Sequence, residues 1–224
     1  ASHAGVLLGL GLQKHLSVLS NADILDYLQQ GHEPTTVAML IGMAASKQGS
    51  AHPRLSKTLC CYIPSLLPSR HQDIDISPLV QTAALAGLGL LHVGTGHRLI
   101  TEFLLTELGR RPTSDRCECR ESMSLTAAWS LGLVLIGRGT STGMGGLVDL
   151  HIEDRLCQLF SGGRKPAESY LFPTYFGSSG DSSTRPSRVL EGDDINTDVT
   201  GPGALLALGL IYIRSGNADI AKRM

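Results

Sequence analysis

Ala84-Leu85-Ala86-Gly87-Leu88-Gly89-Leu90-Leu91-His92-Val93-Gly94-Thr95-Gly96 is the stretch on which the reading of this chain turns. Its phrase recurs at Ala4 to Leu12, Val37 to Gly49, Ala127 to Gly139 and Ala204 to Gly216. With Gly9, Gly42, Gly89, Gly132 and Gly209 as anchors, the flanking residues are apolar in every copy. Five positions before the anchor stands Ala4, Ala84, Ala127 or Ala204, with Val37 the exception. Seven positions after it stands Gly49, Gly96, Gly139 or Gly216, and Leu16 takes that place in the first copy. Fixed internal spacing of this kind marks a structural repeat.

Each phrase reads as a helix. At about 100° per residue, the anchor and the glycine seven later share one stripe, and the alanine lies about 140° away. Leucines fill the flanks, so the helix is apolar nearly all round and belongs in an interior. Glycine disfavours helix by about 1 kcal/mol relative to alanine. Its recurrence therefore implies close approach of neighbouring helices, and small residues on two sides imply a like neighbour on each side. The later glycine also suits a helix C-terminus.

Between the inner phrases lie amphipathic segments, which complete a series of helical hairpins. The first pairs an inner helix, about Ser2 to Lys14, with an outer one from about Asn21 to Gln30, capped by Ser20 or Asn21 and ended by Gly31. The second opens near Glu33-Pro34, runs to Gly49 and carries an outer helix from His52-Pro53 through Leu55, Leu59, Tyr62 and Ile63. The third begins at Ser77-Pro78, where serine reads as the cap and proline as the first helical residue. Its inner helix runs to about Gly94, and Leu99, Ile100, Phe103, Leu104 and Leu108 form the outer stripe. The fourth runs from about Glu121 to Gly137, with Ile152, Leu156, Leu159 and Phe160 outside. The stretch near 161–198 breaks the pattern and reads as a polar insertion, partly disordered around 177 to 188. A fifth hairpin starts at Val199 to Ala204, and Asn217-Ala218-Asp219-Ile220 echoes Asn21-Ala22-Asp23-Ile24. The expected architecture is all-α: residues 1–224 form part of one repeat domain of about five hairpins, the last truncated, cut from a longer protein.

Composition narrows the function classes. Basic and acidic residues number 19 and 20, so no nucleic-acid surface or acidic tail is implied. Cys60, Cys61, Cys117, Cys119 and Cys157 are odd in number and form no disulfide framework, which points to a reducing compartment. The uncharged runs Val80 to His97 and Ser122 to Gly137 are too rich in Gly, Ser, Thr and Ala for a spanning helix, so no membrane partner is expected.

Several constellations fall short of a site. Ala128-Trp129-Ser130-Leu131-Gly132 approximates a nucleophile elbow, but an elbow needs a preceding strand, and here the phrase is helical. Trp129 reads more simply as a core residue. Gly87-Leu88-Gly89 and Gly9-Leu10-Gly11 lack the third glycine of a dinucleotide fingerprint. Gly143-Met144-Gly145-Gly146 lacks the lysine of a phosphate loop. Asp194, Asn196 and Asp198 alternate as in a calcium loop, but Val199 and Leu205 occupy its glycine and glutamate positions. Cys117-Glu118-Cys119 with Cys157 matches no common zinc spacing. The histidines read as caps or core residues. Arg110, Arg111, Arg116 and Arg120 read as a solvated patch or as a face for an acidic partner. No catalytic, cofactor or metal site is expected. The residues expected to matter are those of repeat packing: Ala4, Gly9, Gly42, Gly49, Ala84, Gly89, Gly96, Ala127, Gly132, Gly139, Ala204, Gly209 and Gly216.

The phrase, small residues around Leu-Gly-Leu with a glycine seven later, resembles the proteasome/cyclosome repeat. The likeness is carried by His3-Ala4-Gly5 through Leu8 to Leu12, Asp26-Tyr27-Leu28 with Gly31-His32-Glu33, and Ile63-Pro64 with Leu66-Leu67-Pro68. Arg120-Glu121-Ser122, Glu191-Gly192-Asp193 with Ile195-Asn196, Asp198-Val199-Thr200 and Pro202-Gly203-Ala204 add to it, and the flanking phrases single out the cyclosome branch. The resemblance implies an α–α toroid with inner and outer rings of helices. It also implies a non-catalytic scaffold in the anaphase-promoting complex, a cullin–RING ubiquitin ligase of mitosis. Substrate-recognition, cullin and tetratricopeptide-repeat subunits would be its partners, in nucleus and cytoplasm. The alternatives are a scaffold of the proteasome regulatory particle and, in a different class, an α-toroid enzyme with an axial pocket. The inner phrases offer Leu, Ala and Gly where such a pocket needs acids or a metal set.

Overall fold

The computed structural model describes residues 2–68, 74–110, 119–140, 144–163 and 195–224. Among them are ten α-helices and no strand. Five are inner helices: α1 (Ser2–Leu12), α3 (Glu33–Ser46), α5 (Pro78–Leu91), α7 (Arg120–Val134) and α9 (Thr197–Ile211). Five are outer helices: α2 (Asn21–Gln29), α4 (Pro53–Cys60), α6 (Arg98–Leu108), α8 (Ile152–Ser161) and α10 (Ala218–Arg223). They alternate along the chain. Each inner helix packs on the next, α1 on α3, α3 on α5, α5 on α7 and α7 on α9, while α4, α6 and α8 pack chiefly on the following inner helix.

One apolar cluster runs through the whole row, from Ala4 and Leu7 through Leu40, Leu85, Leu88 and Leu131 to Leu208 and Ile211. This continuity follows from the inner sequences. In α5 the buried residues include Val80, Ala83, Ala84, Leu85, Leu88 and Leu91, which cannot lie on a single stripe, so the helix is enclosed by neighbours. The outer helices bury one side only, as at Leu55 and Leu59 of α4.

Capping chemistry sets the hairpin geometry. Ser20 forms a capping box with Asp23, and His52 and His97 each accept a backbone N–H at an outer-helix start. In the last repeat the cap is Asn217, whereas the similar Asn21 is already helical. The two Asn-Ala-Asp-Ile phrases therefore stand one residue apart in helical register. Ser77 occupies the N-cap position of α5 but does not cap it; its hydroxyl donates to Glu33 at the start of the neighbouring inner helix.

Other expectations change in detail. The inner helices end at Ser46, Leu91 and Val134, a few residues before the glycines taken as their ends. Helix α9 begins at Thr197 and continues through Pro202, inside the stretch expected to lie partly in the insertion. Proline costs one helical hydrogen bond there, and the Thr200 hydroxyl, within reach of both Leu159 O and Asn196 O, ties the first turns of the helix to α8. Trp129 is half-buried and stands outside the apolar cluster, so it is not a core residue. The expected insertion lies almost wholly outside the described residues, as do Cys117, Arg111 and Arg116. No helix among the described residues is long and apolar enough to cross a membrane.

Candidate functional site: the seams between repeats

Where two inner helices meet, glycine removes the side chain that would hold them apart. A Cβ built on Gly89 would lie 2.6 Å from Ser130 Cα, and one on Gly11 would lie 2.3 Å from Gly42 Cα. On Gly132 it would meet Leu210 at 2.7 Å and Ala207 Cα at 3.2 Å, and on Gly203 it would meet Ala128 Cβ at 2.8 Å. Backbone therefore stands opposite Gly11 and Gly89, while side chains crowd Gly132 and Gly203. Ala84, Ala127 and Ala204 are fully buried, and Ala4 nearly so.

Three of the expected packing residues behave otherwise. A Cβ on Gly9 would meet nothing within 4 Å, and one on Gly209 would meet only Met224. Gly216, with a left-handed backbone, also faces nothing within 4 Å. In the first repeat Gly11, two residues on, makes the close approach.

A second set of contacts runs along the C-terminal ends of the inner helices. Gly94 N–H donates to Leu133 O at 2.9 Å and Gly96 N–H to Val134 O at 3.0 Å. One repeat further, Gly137 donates to Leu210 O at 3.1 Å and Gly139 to Ile211 O at 2.9 Å. One repeat earlier, Gly49 donates to Leu90 O at 3.2 Å and Ala51 to Leu91 O at 3.0 Å. The last carbonyls of a helix have no partner within it. Here the turn of the preceding repeat supplies one, so the C-terminal ends of α5, α7 and α9 are each capped by a neighbour. Side chains reinforce the seams: Ser130 Oγ donates to Leu85 O at 2.9 Å, Ser46 Oγ to Gly11 O at 2.9 Å, and Arg138 Nη2 to Gly94 O at 2.8 Å.

These bonds revise the repeat alignment. Gly49 does the work of Gly94 and Gly137, while Ala51 does that of Gly96 and Gly139. Gly49 and Gly96 share a spacing from their anchors but not a structural place, because α3 runs two residues further past its anchor than α5 before a turn of the same length. The position that recurs in conformation lies five after the anchor. Lys14, Gly94, Gly137 and Arg214 have φ of 66°, 67°, 68° and 59° there, and Gly49 has 69°. Sequence reasoning missed it because two of the five residues are not glycine.

The remaining candidates resolve into structural roles. Ser130 lies inside α7 with its hydroxyl engaged across the seam, so no elbow exists. Asn196 stands at the N-cap of α9 and Asp198 in its first turn. Among the described residues no three His, Cys, Asp or Glu side chains converge as a metal set. Arg110 pairs with Glu107, whose carboxylate also accepts from Ser65 at 2.7 Å, and Arg120 donates to Arg110 O at 3.1 Å. His92 is buried, with Nε2 3.2 Å from Ser56 Oγ and Nδ1 unpartnered. Burial, then the neighbouring His97, lowers its pKa to about 4, so the ring is neutral near pH 7.

Charge pairs tie successive outer elements together. Arg98 of α6 forms a forked pair with Asp149, one arm at 2.9 Å. Glu153 of α8 accepts from Tyr212 Oη at 2.6 Å and from Arg223 of α10 at 2.8 Å. Burial lowers the Arg155 pKa to about 10, opposed by the nearby Glu102 carboxylate. Burial and the bond to Glu153 push the Tyr212 hydroxyl well above the usual tyrosine range.

Comparison with known proteins places this architecture in a family. The family model described as APC1 fifth domain matches residues 53–224, and the one described as APC1 fourth domain matches residues 1–48. The chain belongs to the anaphase-promoting complex subunit 1 family. Relatives named anaphase-promoting complex subunit 1 include the human protein, 40% identical over 98% of this chain, and that of Arabidopsis thaliana, 36% identical over 100% of it. A protein of Emericella nidulans named negative regulator of mitosis is 26% identical over 99% of the chain. The chain spans 11%, 13% and 10% of those three relatives respectively. The two family matches meet in the turn between α3 and α4, while the row of inner helices continues from α3 to α5 across that boundary. The expectation of a cyclosome-type repeat thus has its counterpart in this family, and no match speaks for the proteasomal alternative.

Proposed function

We propose that this chain is a non-catalytic scaffold segment of the anaphase-promoting complex, a cullin–RING ubiquitin ligase of mitosis. The observation that carries the reading is the stack of inner helices locked end to end by paired backbone hydrogen bonds, in a chain of that subunit's family. A stack of this kind is a rigid spacer. Its contribution to ubiquitin transfer is geometric: partners held at fixed separations meet at a raised effective concentration. Ser130, which the sequence offers as a nucleophile, serves the stack instead by donating to a carbonyl across the seam, which supports a role without chemistry of its own. Its partners are other subunits of the complex, among them substrate-recognition, cullin and tetratricopeptide-repeat subunits, and its working compartments are nucleus and cytoplasm.

The test is purification of the tagged full-length protein from mitotic cells, with partners identified by mass spectrometry. Stoichiometric cullin–RING and tetratricopeptide-repeat subunits are expected. Proteasomal ATPases in their place, or neither set, would overturn the assignment.

A further inference from the structure

We propose that the cavity between outer helices α2 and α4 docks an acidic segment of a partner protein that inserts one apolar side chain. The cavity measures about 230 Å³. Leu16, Ile24, Leu25, Met43 and Leu55 wall it, and Lys47 and Arg54 stand among its lining residues. An apolar cavity of about 150 Å³ admits a benzene molecule, so this one has room for a leucine or phenylalanine side chain. Leu25, 53% exposed, is a large hydrophobic residue left at its edge.

The other repeats serve as the comparison that defines the occupant. On later outer helices three arginines face carboxylates of the adjoining repeat: Arg98 meets Asp149, Arg223 meets Glu153, and Arg155 lies in the field of Glu102. Helix α4 carries Arg54 and Lys57 and no acid, with Lys47 beside it. None of these three cations has an ion pair among the described residues. No acidic residue lines the cavity. Helix α2 carries Asp23 and Asp26, neither of which lines the cavity, and Ser20 holds the Asp23 carboxylate through its hydroxyl at 2.7 Å and its backbone N–H at 3.0 Å. The lining thus holds two cations and no carboxylate around an open apolar cavity. An acidic segment with an apolar anchor complements both, in the groove mode of peptide recognition. Charge complementarity of this kind sets partner choice and association rate, and it weakens with salt.

The test uses the full-length protein and two fluorescein-labelled peptides with the same leucine pattern, one carrying Asp and Glu at its polar positions and the other Asn and Gln. Fluorescence anisotropy is expected to show saturable binding of the acidic peptide, at least tenfold weaker for the Asn/Gln peptide and progressively lost with added salt. The paired substitution Arg54→Glu with Lys47→Glu should weaken binding at least tenfold, as should Leu25→Asp. The milder pair Arg54→Gln with Lys47→Gln should weaken it severalfold with hydrogen exchange of α2 and α4 unchanged, which separates docking from folding. In the assembled complex, a photo-crosslinking residue at Arg54 should capture a peptide of net negative charge from another subunit. No binding of the acidic peptide, equal binding of both peptides, indifference to the charge changes, or capture of a basic segment or of this chain itself would overturn the proposal.

Discussion

Replacing Gly89 by alanine adds one methyl group where two inner helices touch. The new Cβ would stand 2.6 Å from both Cα and Cβ of Ser130. Ordinary contact between carbon atoms needs about 3.5–4.0 Å, so α5 and α7 must part by about 1 Å. The neighbour is backbone and cannot swing aside. Overpacking of this kind costs about 1–3 kcal/mol. Parting the helices also stretches the Ser130–Leu85 bond, now 2.9 Å, which adds about 1 kcal/mol. Against this, alanine favours helix over glycine by about 1 kcal/mol. The balance is a loss of about 2 kcal/mol. Hydrogen–deuterium exchange of the full-length protein reads such a loss locally, as about thirtyfold faster exchange of peptides from α5 and α7. Gly9→Ala is the matched control, because the same methyl group meets nothing within 4 Å there. It should slow exchange of α1 by severalfold, through a gain of about 0.5–1 kcal/mol. If both substitutions slow exchange, or both speed it, close approach at Gly89 is not what selects glycine.

Three further outcomes follow from the geometry. His92 has a folded pKa lowered to about 4 against an unfolded value near 6.5, so its neutral form stabilises fully above about pH 6.5 and progressively less as pH falls toward 4. His92→Leu, which copies Leu135 of the next repeat, should abolish about 3 kcal/mol of stability loss across that window in pH-dependent thermal unfolding. Gly94→Ala should cost about 1–2 kcal/mol through its left-handed backbone, while Lys14→Gly and Arg214→Gly should gain about 1 kcal/mol each, read by exchange in the flanking helices. Tyr212→Phe should remove about 1 kcal/mol by breaking the bond to Glu153, and should speed exchange in α10, whose Arg223 shares that carboxylate.

Periodicity made the helical hairpins legible, because an apolar phrase recurring with its glycines has few folds that bury it. The seams were legible only in outline. Counting residues from Gly42 pairs Gly49 with Gly96, but hydrogen bonds define the seam, and α3, which runs two residues further past its anchor, moves the pairing by two. The left-handed position was hidden at Lys14 and Arg214, where residue type gives no signal of backbone conformation. Gly9 and Gly209 look identical to Gly89 in sequence and differ only in what stands opposite them. The cavity beside α4 arises from the splay of two outer helices, a tertiary property with no local pattern. The basic character of α4, by contrast, could have been noticed by comparing the charges of successive outer helices.

The scaffold reading is tested most directly by the composition of the assembly when two seams are blocked. Full-length protein carrying Gly89→Leu and Gly132→Leu would replace the wild type, and native mass spectrometry would count the subunits that copurify. The account predicts loss of subunits and of ubiquitin transfer by the assembly, with transfer by the isolated cullin–RING core unchanged. A full complement of subunits with undiminished transfer would contradict it.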